Sequence, residues 1–204
     1  MHIWGTGNHY EEQPARWMWS KQFWKPFLMR PLAFWMGIVS VRYKSHKISD
    51  FLSDYEKYEA KMADVHAPIS ISNHHTGFDI ITLLDIHPCL SFLAKIGIKG
   101  IPSIGKICTR LQSIYIHRGD KFQAQAVIEK IKKRCEDILV HKKRFPSLMI
   151  FPEGTTGNGE FLMRFKNGAF INGAPIKIYC LRYRTSGLNP GLNLYREPVM
   201  FTMN

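Results

Sequence analysis

Apolar residues occur along the chain in short runs that predict strands at residues 68–72, 89–94, 114–116, 147–151 and 176–183. Between these runs, residues 80–86 and 121–140 have the spacing of helices, the first of them entered through Gly77. Strands that alternate with helices are typical of an α/β domain. The pattern therefore predicts a single α/β domain with a central mixed sheet flanked by helices.

The predicted helix at 121–140 is amphipathic. Its apolar positions recur every three or four residues, at Ala124, Val127, Ile128, Ile131, Cys135, Ile138 and Leu139. The same spacing predicts that four basic residues point outward: Lys130, Lys132, Lys133 and Arg134. We interpret this basic face as a solvated surface, with contact to lipid headgroups as the alternative.

Aromatic and basic residues are concentrated at the N-terminus. All five tryptophans lie within the first 35 residues, interleaved with lysine and arginine, which is typical of a membrane-interface segment. The apolar run at 31–41 is shorter than the roughly 20 residues that a spanning helix needs. We therefore expect a helix lying on the membrane surface rather than a span, with packing against the domain core as a third possibility. The polar first 16 residues predict no signal peptide.

These features divide the chain into a membrane-associating segment, residues 1–45, and a catalytic domain, residues 46–204. The excess of 28 Lys and Arg over 16 Asp and Glu gives a net charge of +12, which favours an anionic partner such as a membrane surface, a phosphate-bearing substrate or nucleic acid. The four cysteines form no CxxC pair, which indicates neither a disulfide framework nor a zinc ribbon and favours a reducing compartment.

The residues best suited to chemistry are His74 and Asp79, at the end of the first predicted strand. A neutral imidazole can take a proton from an alcohol, and a carboxylate on its other nitrogen fixes the tautomer and stabilises the cation. His75 is a rival, because His75 and Asp79 would be neighbours on a continuous helix. Gly77 disfavours such a helix, so we expect a turn that brings His74 back to Asp79.

Further along the chain, Arg118 ends a predicted strand, where its guanidinium can hold a phosphate in a two-pronged contact. Glu153 can accept a hydroxyl hydrogen bond or orient the arginine, and Gly154 permits a tight turn with accessible N–H groups. Arg164 and Lys166 add positive charge nearby. The chain has no GxSxG elbow, no phosphate-binding P-loop and no HExxH or paired-cysteine zinc pattern, so we expect no metal.

Four ordered blocks of residues carry a family resemblance. They are Asn73-His74-xxxx-Asp79, Ser113-Ile-Tyr-Ile-His-Arg118, Phe151-Pro-Glu-Gly-Thr155 and Gly173-Ala-Pro175-Ile. Together they resemble the glycerolipid acyltransferases, the group that contains 1-acylglycerol-3-phosphate acyltransferase, over about residues 68–184. The stretches from Met149 to Phe170 and Leu181-Arg-Tyr183 are most similar to the lysophosphatidylcholine acyltransferase branch.

The resemblance implies that His74 is the catalytic base and Asp79 its partner, and that Arg118, Glu153, Gly154 and Thr155 bind the glycerol phosphate. It implies transfer of an acyl chain from acyl-CoA, as co-substrate and without a further cofactor, to a free hydroxyl of a lysophospholipid. We expect a membrane-surface enzyme, at the endoplasmic reticulum with its site facing the cytosol, and no nucleic-acid partner. The alternatives are a glycerol-3-phosphate acyltransferase and an inactive lipid-binding relative.

The chain departs from the family pattern at three places. Gln112 stands where the second block usually begins with glycine, and Lys177-Ile178 replaces a second proline of the fourth block. Relatives also continue past the last block, whereas this sequence stops at Asn204, so we expect a catalytic domain that is incomplete at its C-terminus.

Overall fold

The computed structural model describes residues 31, 34, 41–52, 55, 66–87, 90–101, 104–117, 121–157, 159 and 161–183. The predicted membrane-associating segment lies almost wholly outside these residues, and so does Arg118. Within the described part of the chain, no helix combines the length and the apolar character needed to cross a bilayer.

The described fold contains five strands and three α-helices that alternate along the chain. The strands are β1 (Ile69–Ser72), β2 (Leu90–Lys95), β3 (Ile114–Ile116), β4 (Ser147–Ile150) and β5 (Ile176–Tyr179), and the helices are α1 (Asp79–Ile86), α2 (Ile104–Arg110) and α3 (Lys121–Leu139). The α/β prediction is confirmed. Helix α2 was not predicted.

The strands form one sheet in the order β3-β2-β4-β1-β5. All four strand pairs are parallel, with Ile69 beside both Leu148 and Ile176 in the register. The prediction of a mixed sheet is therefore wrong for the described strands. The physical reason is that every connection is long enough to cross back over the sheet, through a helix or through the loop after β4, so each strand starts from the same edge.

Each face of the sheet carries its own layer of core. Alternate residues of a strand point to opposite faces, and in β4 Leu148 and Ile150 join the layer that contains Ile131 of α3, whereas Met149 joins the layer that contains Leu83 of α1. The two layers are covered on opposite sides by α1 and α3. This arrangement leaves the carboxyl ends of the strands as the open edge where loops meet.

Arg134 is the exception on α3. It was predicted to point outward with the neighbouring lysines, but it is buried, because it lies on the same side of the helix as Ile131 and Ile138. Its guanidinium donates to Ser91 Oγ at 2.8 Å and to the Gln112 carbonyl oxygen at 2.7 Å. Hydrogen bonds of this kind make the burial of a cation possible. The prediction for Arg134 is wrong for this reason.

Gln112, two residues after the end of α2, has a φ of 58°, a left-handed conformation that favours glycine. Its N–H donates to the Thr109 carbonyl and the next N–H, of Ser113, donates to the Cys108 carbonyl, which together form a Schellman C-cap. Gln112, which stands where the family resemblance predicts glycine, forms this cap in the left-handed conformation.

Candidate active site

The turn between β1 and α1 folds around the carboxylate of Asp79. Asp79 is the first residue of α1 and its side chain is fully buried. Its Oδ2 accepts hydrogen bonds from His74 Nδ1 at 2.7 Å and from the backbone N–H groups of His75 at 2.7 Å and Thr76 at 3.0 Å. The predicted turn that returns His74 to Asp79 is present.

The second oxygen of Asp79 is held from the far end of the chain. Tyr183, after β5, donates its hydroxyl to Asp79 Oδ1 at 2.6 Å, and Thr82 Oγ1 lies 3.3 Å from the same hydroxyl. Burial, followed by the nearby carboxylate, raises the pKa of Tyr183 well above its ordinary range. The tyrosine therefore stays protonated and remains a donor to Asp79.

His74 is placed by contacts to both its backbone and its ring. Its N–H donates to Glu153 Oε1 at 2.9 Å, and its carbonyl accepts the N–H of Gly157 at 2.8 Å. The imidazole stacks on Phe151, with ring centroids 4.0 Å apart and ring planes 16° apart. Because an ionised carboxylate only accepts, Nδ1 carries the proton toward Asp79, and Nε2 of the neutral ring is left with its lone pair. The His74 side chain is 17% exposed, whereas that of Asp79 is fully buried.

His75 lies beside His74 but turns its ring elsewhere. The Asn73 side-chain amide is hydrogen-bonded to His75 Nε2, and the His75 ring meets Tyr183 edge-on at 5.8 Å. Only the backbone N–H of His75 reaches Asp79. Of the two histidines, His74 has the ring oriented by a carboxylate.

The Pro-Glu-Gly-Thr turn after β4 supports His74 from the other side. Glu153 is buried, and its two oxygens accept the N–H groups of His74 at 2.9 Å and of Met163 at 3.0 Å. Gly154 has φ of +74°, and a Cβ there would lie 2.6 Å from Lys166 Nζ, so the lysine side chain crosses directly over this glycine. Thr155 is exposed. The hydrogen bond from His74 brings Glu153 next to the histidine. Binding of substrate by Glu153, Gly154 and Thr155 stays a prediction.

Three residues of the site received no role from the sequence. Tyr183 closes the Asp79 cluster and Phe151 supports the His74 ring. Asn73 exchanges two hydrogen bonds with the backbone of Leu181, at 2.8 and 2.9 Å, which continues the β1–β5 pairing by one side chain. All three lie within the motif stretches quoted above, and this position is the only sequence feature that marked them. Among the described residues, no three His, Cys, Asp or Glu side chains are grouped as metal ligands would be.

Comparison with known proteins places the residues of this site within a family match. The Acyltransferase family model matches residues 55–183, more than half of the chain. That range contains His74, Asp79, Glu153 and Tyr183, so it covers the whole described site.

Individual relatives are similar over the same region. The chain is 36% identical to Lysophospholipid acyltransferase LPCAT4 of Xenopus tropicalis over 55% of its length, and 35% identical to Lysophospholipid acyltransferase LPEAT2 of Arabidopsis thaliana over 57%. It is 28% identical to Lysophosphatidylcholine acyltransferase 1 of Rattus norvegicus over 76% of its length.

The matched segments make up 21%, 21% and 29% of these three relatives, so the chain corresponds to less than a third of each. No solved structure matches the chain significantly. The family match, which covers the four sequence blocks and the residues around the Asp79 carboxylate, shows that this chain belongs to the acyltransferase family.

Proposed function

We propose that the protein is an acyl-CoA-dependent O-acyltransferase that acylates a free hydroxyl of a lysophospholipid, with His74 as general base and Asp79 as its orienting partner. The observation that carries this proposal is the 2.7 Å hydrogen bond between His74 Nδ1 and the buried Asp79 carboxylate. The acceptor class follows from the relatives, which are named as lysophospholipid acyltransferases.

The reaction needs one proton to move twice. His74 Nε2 takes the proton of the acceptor hydroxyl while the oxygen attacks the thioester carbonyl of acyl-CoA. The tetrahedral intermediate then collapses, the carbon–sulfur bond breaks, and the imidazolium returns the proton to the leaving thiolate. Asp79 stabilises the imidazolium between the two steps, and because it is fully buried, water screens that attraction little.

The acceptor phosphate needs positive charge close to this nitrogen. Lys166 Nζ, above Gly154, lies beside the turn that holds His74, and Arg118 is the second cation that we assign to this role. If Arg118 holds the phosphate, Arg118→Ala raises the KM for the acceptor and leaves the KM for acyl-CoA nearly unchanged. Equal damage to both KM values would instead indicate a structural role.

We further propose that the protein works at a membrane surface, at the endoplasmic reticulum with the site facing the cytosol. The N-terminal cluster of tryptophan and basic residues and the net charge of +12 support membrane association. Both substrates carry long acyl chains and phosphate groups, which a bilayer presents together at its surface.

The direct test is acyl-CoA consumption by the purified full chain in detergent, against a panel of lysophospholipids that includes glycerol-3-phosphate. We expect release of free CoA thiol, with formation of the diacyl product, only when a lysophospholipid is present. Turnover with glycerol-3-phosphate alone would make the protein a glycerol-3-phosphate acyltransferase. Binding of acceptor without turnover, under conditions in which a known acyltransferase is active, would identify an inactive lipid-binding relative.

A further inference from the structure

A loop of mixed aromatic and basic character follows the Pro-Glu-Gly-Thr turn. Residues 161–170, here called the 161–170 loop, read Phe-Leu-Met-Arg-Phe-Lys-Asn-Gly-Ala-Phe. Two large apolar side chains at its start are almost fully in solvent: Phe161 is 77% exposed and Leu162 is 69% exposed. Phe165 and Phe170 are also exposed and stack on each other with centroids 6.4 Å apart.

Such exposure is costly unless something covers it. Large contiguous apolar patches on soluble proteins mark sites of contact with another protein or with a membrane. Here the charge of the loop favours a membrane over a protein partner. Arg164 and Lys166 are both exposed, and the loop contains no acidic residue. Aromatic side chains alternating with cations fit the interface of an anionic bilayer, where rings enter the headgroup zone and cations meet lipid phosphates.

The loop is also joined to the catalytic turn. Met163 donates its N–H to Glu153 Oε2 at 3.0 Å, and Glu153 Oε1 accepts the N–H of His74. The Lys166 N–H donates to the Pro152 carbonyl at 2.9 Å. Two hydrogen bonds, both to Glu153, thus connect the loop to His74. A surface that binds the 161–170 loop is therefore held close to His74.

We propose that the 161–170 loop is a membrane-docking surface, in which Phe161 and Leu162 enter the headgroup region of an anionic bilayer and Arg164 contacts lipid phosphate. This inference rests on the proposed function, because it explains how an acceptor that resides in a bilayer reaches His74, whose partner Asp79 is buried. It assigns docking to the catalytic domain itself, in addition to the N-terminal segment. The loop then sets the height of His74 above the membrane.

The test compares variants of the 204-residue chain by sedimentation with vesicles of phosphatidylcholine alone and of phosphatidylcholine mixed with phosphatidylglycerol. The double variant Phe161→Ser/Leu162→Ser should lower the partition coefficient about tenfold on the mixed vesicles, since much of the apolar area that enters the interface is removed. Arg164→Gln should lower it only on the mixed vesicles. The matched controls are Val140→Ser, an exposed apolar residue after α3, and Arg144→Gln, an exposed cation; neither should change binding.

Activity separates this inference from the proposed function. With acceptor dispersed in vesicles, the double variant should lose turnover in proportion to its lost binding; with a short-chain acceptor dissolved as monomers, it should keep parental turnover. Parental vesicle binding by the double variant would overturn the docking surface while leaving the proposed function intact. Absence of turnover by the parent on every acceptor would remove the proposed function, and vesicle binding would still decide the role of the loop.

Two other ways of covering Phe161 and Leu162 predict different results for the double variant. If another segment of this chain covers Phe161 and Leu162, the double variant should lose thermal stability with unchanged vesicle binding. If a second copy of the chain covers them, the double variant should shift from dimer to monomer in size-exclusion chromatography, again with unchanged vesicle binding. Either result overturns the membrane-docking assignment.

Discussion

At the scale of single residues, Asp79 organises the site. Its carboxylate accepts hydrogen bonds from the His74 ring, from two backbone N–H groups and from Tyr183. Hydrogen bonds to an ionised group are stronger than those between neutral groups. The orientation of the His74 ring is thus set by a carboxylate that is itself immobilised.

Replacing each histidine separately tests which one is the base. His74→Ala should lower kcat by a factor of ~10²–10⁴, because a positioned general base contributes about that much. His75→Ala should lower kcat far less, because its ring does not reach Asp79 and only its backbone N–H does. Steady-state kinetics on both variants, with circular dichroism as a check on folding, measures this. A dead His75 variant beside an active His74 variant would contradict the assignment.

Tyr183→Phe tests whether the tyrosine hydroxyl positions Asp79. Removing the hydroxyl takes one donor from Asp79 Oδ1 and leaves more of the carboxylate charge to attract the imidazolium of His74. Since the base must be unprotonated to act, the acid limb of the kcat/KM profile should move to higher pH. The lost hydrogen bond should also cost about 1.5–3 kcal/mol of stability. A merely structural tyrosine would lower stability and leave the acid limb in place.

At the scale of elements, Arg134 connects α3 to the sheet and to the end of α2. It donates to Ser91 on β2 and to Gln112 after α2, and its guanidinium lies 5.3 Å from the centroid of the Phe145 ring. Arg134→Ala should lower the free energy of unfolding by about 3 kcal/mol, because the buried acceptors lose a charged donor. Urea unfolding measures it.

The matched control for this variant is the next residue toward the N-terminus. Lys133 is exposed on the same helix, so Lys133→Ala should change stability by less than about 0.5 kcal/mol. Similar losses for Lys133→Ala and Arg134→Ala would contradict this assignment, because they would show that the loss does not depend on the buried contacts of Arg134.

The elements show what local sequence can predict. The five strands were predicted because runs such as 69–72 and 147–150 are short, apolar and bounded by turn residues. Helix α2 was missed because its seven residues include Gly105 and show too short a pattern for a helical period. The direction of β5 was not predictable, since it depends on pairing with β1 more than 100 residues earlier.

The candidate site also has a part that local sequence predicts and a part that it does not predict. His74 and Asp79 are five residues apart, so the turn between them was predictable from Gly77 and the strand before it. Tyr183 and Asp79 are 104 residues apart, and no local pattern links them. Arg134 was assigned to solvent because a cation on a helix is usually solvated, and its buried acceptors come from other elements.

At the scale of the whole molecule, the net charge of +12 and the aromatic N-terminus predict attachment to one side of a membrane. The segment 17–41 is expected to lie on the surface, so both of its ends should stay on the cytosolic side. Single cysteines introduced at either end should therefore react alike with a membrane-impermeant reagent in sealed microsomes. Labels on opposite sides of the membrane would establish a transmembrane helix in its place.

The position of β1 in the sheet has a consequence for synthesis on the ribosome. β1 lies between β4 and β5 in the sheet. The contacts of His74 and Asp79 are complete only when Glu153, 79 residues after His74, and Tyr183 have been synthesised. Since a chain emerges from its N-terminus, both edges of β1 are unpaired until β4 is made, and one edge stays unpaired until β5 is made; unpaired edges invite aggregation. The nascent chain should therefore need a chaperone or early membrane capture until β5 appears. Limited proteolysis of ribosome-arrested chains tests this. Protease resistance of chains that end before residue 176 would show that other residues protect the edges of β1, and it would contradict the prediction.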